Sequence, residues 1–144
     1  MTIKQISLFI ENKPGHLGAI CQTLTDAGIN IVTLSLADTQ QFGIVRLIVA
    51  DWEKARDVLA KAGFVVNIRD VLAVAVRDEP GGMTELLDIL GKGGVNIEYM
   101  YAFAAHLGEE AVLVFRFDDL EKAEKILADA GRTILDPGTI LKLK

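Results

Sequence analysis

A proline–glycine pair occurs twice in the sequence, as Pro14-Gly15 and as Pro80-Gly81. Each pair precedes apolar residues at helical spacing, so each would form the first turn of a helix. Proline sets φ for that turn, and glycine lets the backbone approach a ligand closely. The unpaired N–H groups at a helix start lie at the positive end of the helix dipole and can hold a carboxylate. Both segments therefore have anion-binding chemistry, although each pair alone could be only a strand-to-helix turn.

An asparagine follows each predicted helix, with Asn30 two residues after Gly28 and Asn96 two residues after Gly94. An amide side chain both donates and accepts hydrogen bonds, so it can bind either a donor or an acceptor group of a ligand. The two asparagines could instead cap turns by bonding their own backbone. Because an asparagine recurs at the same place after both helices, we favour a binding role.

The residue types that catalysis usually requires are scarce. The chain has two histidines, His16 and His106, and one cysteine, Cys21. Nucleophilic catalysis needs a nucleophile, a base and an orienting group, and the two histidines lie in non-equivalent places. One cysteine cannot build a zinc site, and Cys21 lies on an apolar helix face, where a small buried hydrophobe is expected. We therefore predict no enzyme activity, no cofactor and no metal site. We expect His106 on the surface of a hairpin and leave His16 open between loop residue and ligand site.

Composition narrows the function further. The chain has 144 residues, of which 51% are hydrophobic, and a net charge of −5, as expected for a globular protein that repels phosphate backbones. We therefore exclude nucleic acid as a partner. No apolar run reaches the roughly 18 residues of a membrane span, and the N-terminus has no signal-peptide character. We predict a cytoplasmic protein without a membrane partner.

The sequence repeats itself. Pro80 follows Pro14 by 66 residues (80 − 14), and Gly131 follows Gly63 by 68 (131 − 63), so we divide the chain into modules at 1–70 and 71–144. In each copy, alternating apolar residues predict strands, and apolar spacings of three and four predict helices. The resulting order is strand, helix, strand, strand, helix, strand. This is the βαββαβ order of an α+β, ferredoxin-like fold, with an antiparallel sheet and helices on one face.

The ends of the two copies raise a question of strand pairing. The segment 64–76 contains no break apart from Arg69-Asp70, whereas a proline–glycine turn precedes a further predicted strand at Thr139–Leu143. We therefore hypothesise that Val71–Val76 and Thr139–Leu143 are equivalent and that an edge strand is exchanged between the copies. Because the sheet has apolar residues on both faces, we also expect the two copies, or two chains, to shield each other.

The recurring segments together resemble the ACT domain family, twice in tandem over nearly the whole chain. They are residues 11–18 with 28–31 in the first copy and residues 77–84 with 94–97 in the second. The resemblance implies a ferredoxin-like fold, an allosteric regulatory role and binding of a small molecule, usually a free amino acid. It also implies that sites form where two such modules meet, which favours a homodimer.

The resemblance assigns candidate ligand-binding residues to both copies. They are Asn12, Gly15, His16, Leu17, Gly18, Asn30 and Ile31 in the first copy, and Asp78, Gly81, Gly82, Met83, Thr84, Asn96 and Ile97 in the second. The copies differ here, since Glu79 replaces Lys13. Asp78 and Glu79 would hold an ammonium but repel a carboxylate. We expect unequal binding, with the first copy closer to the family pattern.

The leading hypothesis is a non-catalytic sensor that binds a free amino acid and acts on a separate enzyme or transporter. A structural assembly module without a ligand is an alternative, and so is a small enzyme on the same fold, because fold alone does not decide function. Tyr99 and Tyr101 lie two residues apart on a predicted strand and share one face. They could line an interface or a ligand cleft, but simple packing is the preferred interpretation.

Overall fold

The computed structural model describes residues 1–143, apart from the side chain of Thr39. The described chain forms seven strands and five helices. These are β1 (Ile3–Glu11), α1 (His16–Asp26), β2 (Ile31–Thr39), β3 (Phe42–Val49), α2 (Trp52–Lys61), β4 (Val66–Arg77), α3 (Gly82–Lys92), β5 (Ile97–Leu107), β6 (Glu110–Phe117), α4 (Leu120–Asp129), β7 (Ile134–Leu135) and α5 (Pro137–Ile140).

The chain divides into two compact units within the long strand β4. The first module is Lys4–Arg69, and the second is Asp70–Lys144 together with Met1–Ile3. Each module has the predicted βαββαβ order with antiparallel pairing, so the predicted fold class is confirmed. The strand order is β2-β3-β1-β4 in the first module and β4-β6-β5 in the second, where β7 also pairs with β4.

The helices cover one face of each sheet and form a separate apolar core there. In the first module, Ile20 and Leu24 of α1 and Leu59 of α2 pack against β1 and β3. In the second, Leu86 and Leu90 of α3 and Leu127 of α4 pack against β4 and β6. The spacing of four between paired residues of α1 and of α3 places them on one helix face, which explains why these segments become helices. Burial of these side chains supplies most of the stability of each module.

The second helix of each module begins at an aspartate. The Asp51 carboxylate accepts a hydrogen bond from the Lys54 N–H, and the Asp119 carboxylate accepts one from the Lys122 N–H, both at 3.1 Å. Each aspartate thereby satisfies one of the N–H groups that a helix start leaves unpaired. The repeat therefore extends from the pattern of elements to their capping interactions.

The opposite face of the sheet is also buried at several positions. Gln5 is fully buried and its Nε2 donates a hydrogen bond to Ser7 Oγ at 3.1 Å. Val71 and Ala73, which alternate along β4 with residues of the helix-side core, are fully buried as well. Both faces of the central strands are therefore removed from water, as their two-sided apolar pattern indicates.

The predicted last strand is wrong. Thr139 lies in α5, where the Asp136 carboxylate accepts a hydrogen bond from the Thr139 N–H at 2.8 Å and Pro137 occupies the first turn. An aspartate cap followed by proline is a helix-start signal, and here it outweighs the apolar alternation of the segment. The residues equivalent to Val66-Asn67 of β4 are Ile134-Leu135 of β7, which pair with Ala73 and Val74. The equivalence of Val71–Val76 with Thr139–Leu143 is therefore wrong, and the exchange hypothesis, which needed that strand, is not supported.

Candidate functional site

The first helix of each module starts with the same turn. The glycines before them, Gly15 and Gly81, have left-handed φ values of 88° and 91°. The His16 N–H donates to the Lys13 carbonyl at 3.3 Å, and the Gly82 N–H donates to the Glu79 carbonyl at 3.1 Å. The sequence suggests glycine here for close approach to a ligand. The structure adds that a positive φ is required at this position, which other L-residues adopt only with strain.

The amides that follow each turn are free to bind a ligand. The N–H groups of Leu17 and Gly18, and those of Met83 and Thr84, have no hydrogen-bond partner within residues 1–143. They lie in the first turn of an eleven-residue helix, at the positive end of its dipole. His16 is also a predicted ligand-binding residue, but its N–H is already used inside the turn.

The residue after the turn glycine differs in its surroundings between the modules. A Cβ on Gly82 would lie 2.1 Å from the Arg77 carbonyl oxygen, so no side chain fits there without a backbone shift. The equivalent residue in the first module is His16, which carries a half-buried side chain. The start of α3 therefore lies closer to the end of β4 than the start of α1 lies to the end of β1, where a side chain is accommodated.

A cavity of about 440 Å³ lies beside the first loop. Glu11, Asn12, Lys13 and the hairpin residues 40–42 line it. The Asn12 Nδ2 donates to the Gln40 carbonyl at 2.9 Å, and Lys13 Nζ lies 2.6 Å from Glu11 Oε2. That ion pair raises the pKa of Lys13 and lowers the pKa of Glu11, first through the hydrogen bond and then through charge attraction. Asn12 is the one candidate residue of the first copy in this lining, and its side-chain amide is already hydrogen-bonded to the hairpin backbone.

A larger cavity of about 560 Å³ lies beside the second loop. It is lined by Val76, Arg77, Asp78, Glu79, Pro80, Met83, Met100, Ala111 and Leu113. Asp78 and Met83 are predicted site residues, and the structure brings them together here. Gly81, Gly82, Thr84, Asn96 and Ile97 do not line this cavity. The lining joins the loop to the start of α3 and to the helix-side face of β5 and β6.

Ion pairs fix the charged rim of this cavity. Arg77 binds Glu79 through one guanidinium nitrogen and Glu85 through the other, and Arg132 Nη2 lies 2.9 Å from the second oxygen of Glu85. The hydrogen bond to Glu85 and the charges of both glutamates raise the pKa of Arg77. The hydrogen bond from Arg77, followed by the charge of Arg132, lowers the pKa of Glu85. Glu79 is thus partly neutralised, and its repulsion of a carboxylate is smaller than its sequence position indicates.

His106 has a specific neighbour. It is exposed, as expected, on the hairpin side of β5, and its Nε2 lies 3.2 Å from Asp78 Oδ2. The two side chains are 57% and 65% exposed, so solvent screens their interaction. The pair places one more titratable group beside the second loop.

The two asparagines lie far from the loops of their own modules. The Asn96 N–H donates to Asp118 Oδ1 at 3.0 Å, and Asp118 follows the end of β6. The pairs Ile97–Phe117 and Leu107–Glu110 mark opposite ends of the β5–β6 ladder, about 23 Å apart along β6 at 3.3 Å per residue. The loop lies at the Glu110 end, because Arg77 pairs with Glu110. In the first module, Ile31 pairs with Val49 at the corresponding far end. Neither module brings Asn30 or Asn96 to its own helix-start loop.

Sequence reasoning misses the apolar lining of the second cavity. Tyr99 and Tyr101 are the sequence candidates for a cleft, but Met100 between them lines the cavity. Met100 pairs with Phe115 of the helix-side core, and alternation turns Tyr99 and Tyr101 to the other face. The alternation along β6 could have shown that Ala111 and Leu113 face the helices. Only the register between β5 and β6 shows that Met100 faces the same side.

Two other kinds of feature are absent from the part of the chain that the structure describes. Residues 1–143 contain no group of three or more histidine, cysteine or acidic side chains positioned to hold a metal ion. None of the helices in this range is long and apolar enough to cross a membrane.

The fold and the repeated helix-start loops define a tandem pair of ferredoxin-like modules. A family model described as the ACT domain pair matches residues 1–137. The chain therefore belongs to the ACT domain pair family, and the resemblance drawn from the two loops is confirmed.

Solved structures agree with this assignment. The crystal structure of protein BT0572 from Bacteroides thetaiotaomicron is 36% identical with a TM-score of 0.92, covering 99% of this chain and 98% of that one. The regulatory subunit of aspartate kinase from Thermus thermophilus is 19% identical with a TM-score of 0.64, covering 89% and 90%. Aspartate kinase from Synechocystis is 22% identical with a TM-score of 0.59, covering 93% of this chain and 26% of that one. The two kinase structures show a shared fold. A search of the curated proteins found no match.

Proposed function

We propose that this chain is a cytoplasmic regulatory protein that binds a free amino acid and transmits the binding to a partner enzyme or transporter. Its modules, taken as residues 1–70 and 71–144, each supply one helix-start loop. The observation that carries the proposal is the second loop, where unpaired helix amides adjoin a cavity with both charged and apolar walls.

The chemistry of that loop matches the two charges of an amino acid. The N–H groups of Met83 and Thr84 suit the carboxylate, because the helix dipole favours negative charge there. The Asp78 carboxylate suits the ammonium. Val76, Met100 and Leu113 leave room for an apolar side chain, as in pockets that combine a few polar groups with an apolar wall.

The regulatory part of the proposal is supported by the family and by the shared fold. One relative in fold is described as the regulatory subunit of aspartate kinase. By the same logic, this chain would act through contacts with a separate protein. Ligand binding can change these contacts only if the ligand binds one conformation of the chain more tightly than another.

We further propose that the chain works as a homodimer. Asn30 and Asn96 lie at the sheet ends remote from their own loops. If they contact ligand, the loop must come from another module, which a second copy of the chain would supply in a homodimer. Ligand should then strengthen the dimer, which sedimentation velocity with and without ligand would measure.

A thermal-shift screen of the purified protein against the twenty free amino acids tests the proposal. A ligand present at about one hundred times its Kd adds roughly 2.7 kcal/mol of stability. In modules of this size, that corresponds to a rise in Tm of several degrees. A reproducible shift with one amino acid or a few related ones is expected. No shift with any of them at millimolar concentration would contradict the proposal.

A pair of glycine variants separates site effects from stability effects. Gly81 and Gly131 both have positive φ, and at neither residue would an added Cβ meet another atom within 4 Å. Gly81→Leu and Gly131→Leu should therefore carry a similar strain of about 1–2 kcal/mol. Only Gly81→Leu should lose the ligand-induced rise in Tm, because Gly81 precedes the ligand-facing amides. Equal loss in both variants would remove the loop from the proposed site.

A further inference from the structure

We propose that the cavity of the second module selects an amino acid with an aliphatic or thioether side chain, and that the equivalent region of the first module is closed by Leu36. This inference rests on the amino-acid-binding function proposed above. It adds the class of ligand and the module that holds it.

The selectivity follows from the wall of the second cavity. Its apolar wall consists of aliphatic and thioether side chains, namely Val76, Met83, Met100, Ala111 and Leu113. A charged or strongly polar ligand side chain would find no hydrogen-bond partner on that wall. The two methionines are unbranched and polarizable, so they can adapt to a flexible apolar side chain. The wall therefore favours side chains such as those of leucine, isoleucine, valine and methionine.

The charged groups of this cavity lie on its loop side. Arg77 is held between Glu79 and Glu85, and Glu85 is held in turn by Arg132. These pairs leave Asp78, in contact with His106, as the carboxylate best placed for a ligand ammonium. Polar groups at one end and an apolar wall at the other fit an amino acid whose side chain points away from the loop.

The first module has the same strands but a different side chain at the key position. Leu36 pairs with Val45, and Ala102 pairs with Leu113, so Leu36 and Ala102 are equivalent in register. Leu36 lies across Gly43, because a Cβ on Gly43 would come within 3.1 Å of Leu36 Cδ1. The same Cβ would lie 3.4 Å from Ile10 Cγ1. Leu36 thus occupies the region that corresponds to the cavity wall around Ala111.

Ala102 cannot close the second cavity in this way. Its methyl group ends at Cβ, whereas Leu36 extends two bonds further toward the neighbouring strand. Ala111, equivalent to Gly43, lines the open cavity of the second module. The two regions therefore differ at two register positions, with Leu36 beside Gly43 in the first module and Ala102 beside Ala111 in the second.

Isothermal titration of the purified full chain with free amino acids tests the inference. Leucine, isoleucine, valine or methionine should bind at least tenfold more tightly than aspartate, lysine or serine. Ala102→Leu, which copies the first module into the second, should weaken binding at least tenfold. Leu36→Ala, which opens the first module, should leave the Kd unchanged. Ala111→Leu serves as a second blocking variant if Ala102→Leu does not fold.

The outcomes separate this inference from the proposed function. If no amino acid binds the unmodified protein, the proposed function is wrong and the inference with it. If an amino acid binds but a charged one binds more tightly, only the inference is wrong. The same holds if both folded blocking variants bind like the unmodified protein, or if Leu36→Ala abolishes binding.

Discussion

The first helices of the two modules begin after the same left-handed glycine, yet the next residue is His16 in one and Gly82 in the other. At Gly82 the backbone of α3 approaches the Arg77 carbonyl so closely that a Cβ does not fit. Beside it, the second module carries ion pairs among Arg77, Glu79 and Glu85, where the first has a pair between Glu11 and Lys13. One repeated scaffold thus supports two loops of different charge and packing, because a loop can change without changing the core beneath it.

The cores themselves are expected to be equivalent, and leucine-to-alanine substitutions would test this most strongly. Leu24 and Leu90 are equivalent residues of α1 and α3, exposed by 0% and 1%. Each change to alanine should lower the free energy of unfolding by about 3 kcal/mol, since it removes buried methyl groups and leaves a cavity. Urea denaturation of both variants measures the loss. A difference above about 2 kcal/mol between them would show that the two cores are not alike.

The close approach at the second loop predicts the next largest effect. Gly82→Ala should lower the free energy of unfolding by about 2 kcal/mol, because the added Cβ forces a backbone shift. His16→Ala at the equivalent position should change it by less than about 0.5 kcal/mol. Thermal denaturation of the two variants checks the contrast. If Gly82→Ala proves as mild as His16→Ala, the tighter packing of α3 is refuted.

The helix caps are a feature that the modules share. Asp51→Ala and Asp119→Ala each remove a side-chain acceptor for a first-turn N–H, with the same 3.1 Å geometry. Each should cost about 1 kcal/mol of stability. Asparagine at either position retains the acceptor and should restore most of the loss. Unequal losses in the two alanine variants would indicate that one of the two helices depends less on its cap.

The smallest expected effect is the pH dependence that Glu85 adds to the second module. Hydrogen bonding from Arg77, followed by the charge of Arg132, lowers the pKa of Glu85 below its ordinary value of 4.5. The ion pairs therefore add stability that is fully present above pH 4.5 and is lost as the pH falls through the lowered pKa. Alanine stands at the equivalent position of the first module, as Ala19.

Glu85→Gln tests this pH dependence directly. The variant should be slightly less stable than the unmodified protein at neutral pH, and the difference should vanish in acid. Tm measured from pH 7 to pH 3 would show the two curves converging. A constant gap over the whole range would mean that Glu85 acts by packing rather than by its charge.

Much of the fold and of the loop architecture could be predicted from the sequence. The Pro-Gly pairs indicate the starts of α1 and α3, and apolar spacing indicates the elements of both modules. These are local signals, since capping, turn conformation and helix periodicity depend on residues within about four positions of one another. The same locality explains the error at Thr139, where apolar alternation predicts a strand although Asp136-Pro137 signals a helix start.

The site could be predicted only in part. Asp78 and Met83, both sequence candidates, line the same cavity because they lie in the loop itself and in the helix after it. Met100, Ala111 and Leu113 reach the same cavity from strands, and their positions depend on register between distant segments. A shift of one residue would have turned Met100 away and Tyr101 inward.

The sequence by itself determined the repeat, the order of the elements and the turn at the start of each first helix. The tertiary structure decided which strand residues join each loop, that Asn96 lies at the far end of its sheet, and that Leu36 lies across Gly43 while Ala111 lines an open cavity. The physical reason is the range of the interactions. Turns and caps are bonded within a few residues, whereas a cavity is the space that remains after strands far apart in sequence have paired.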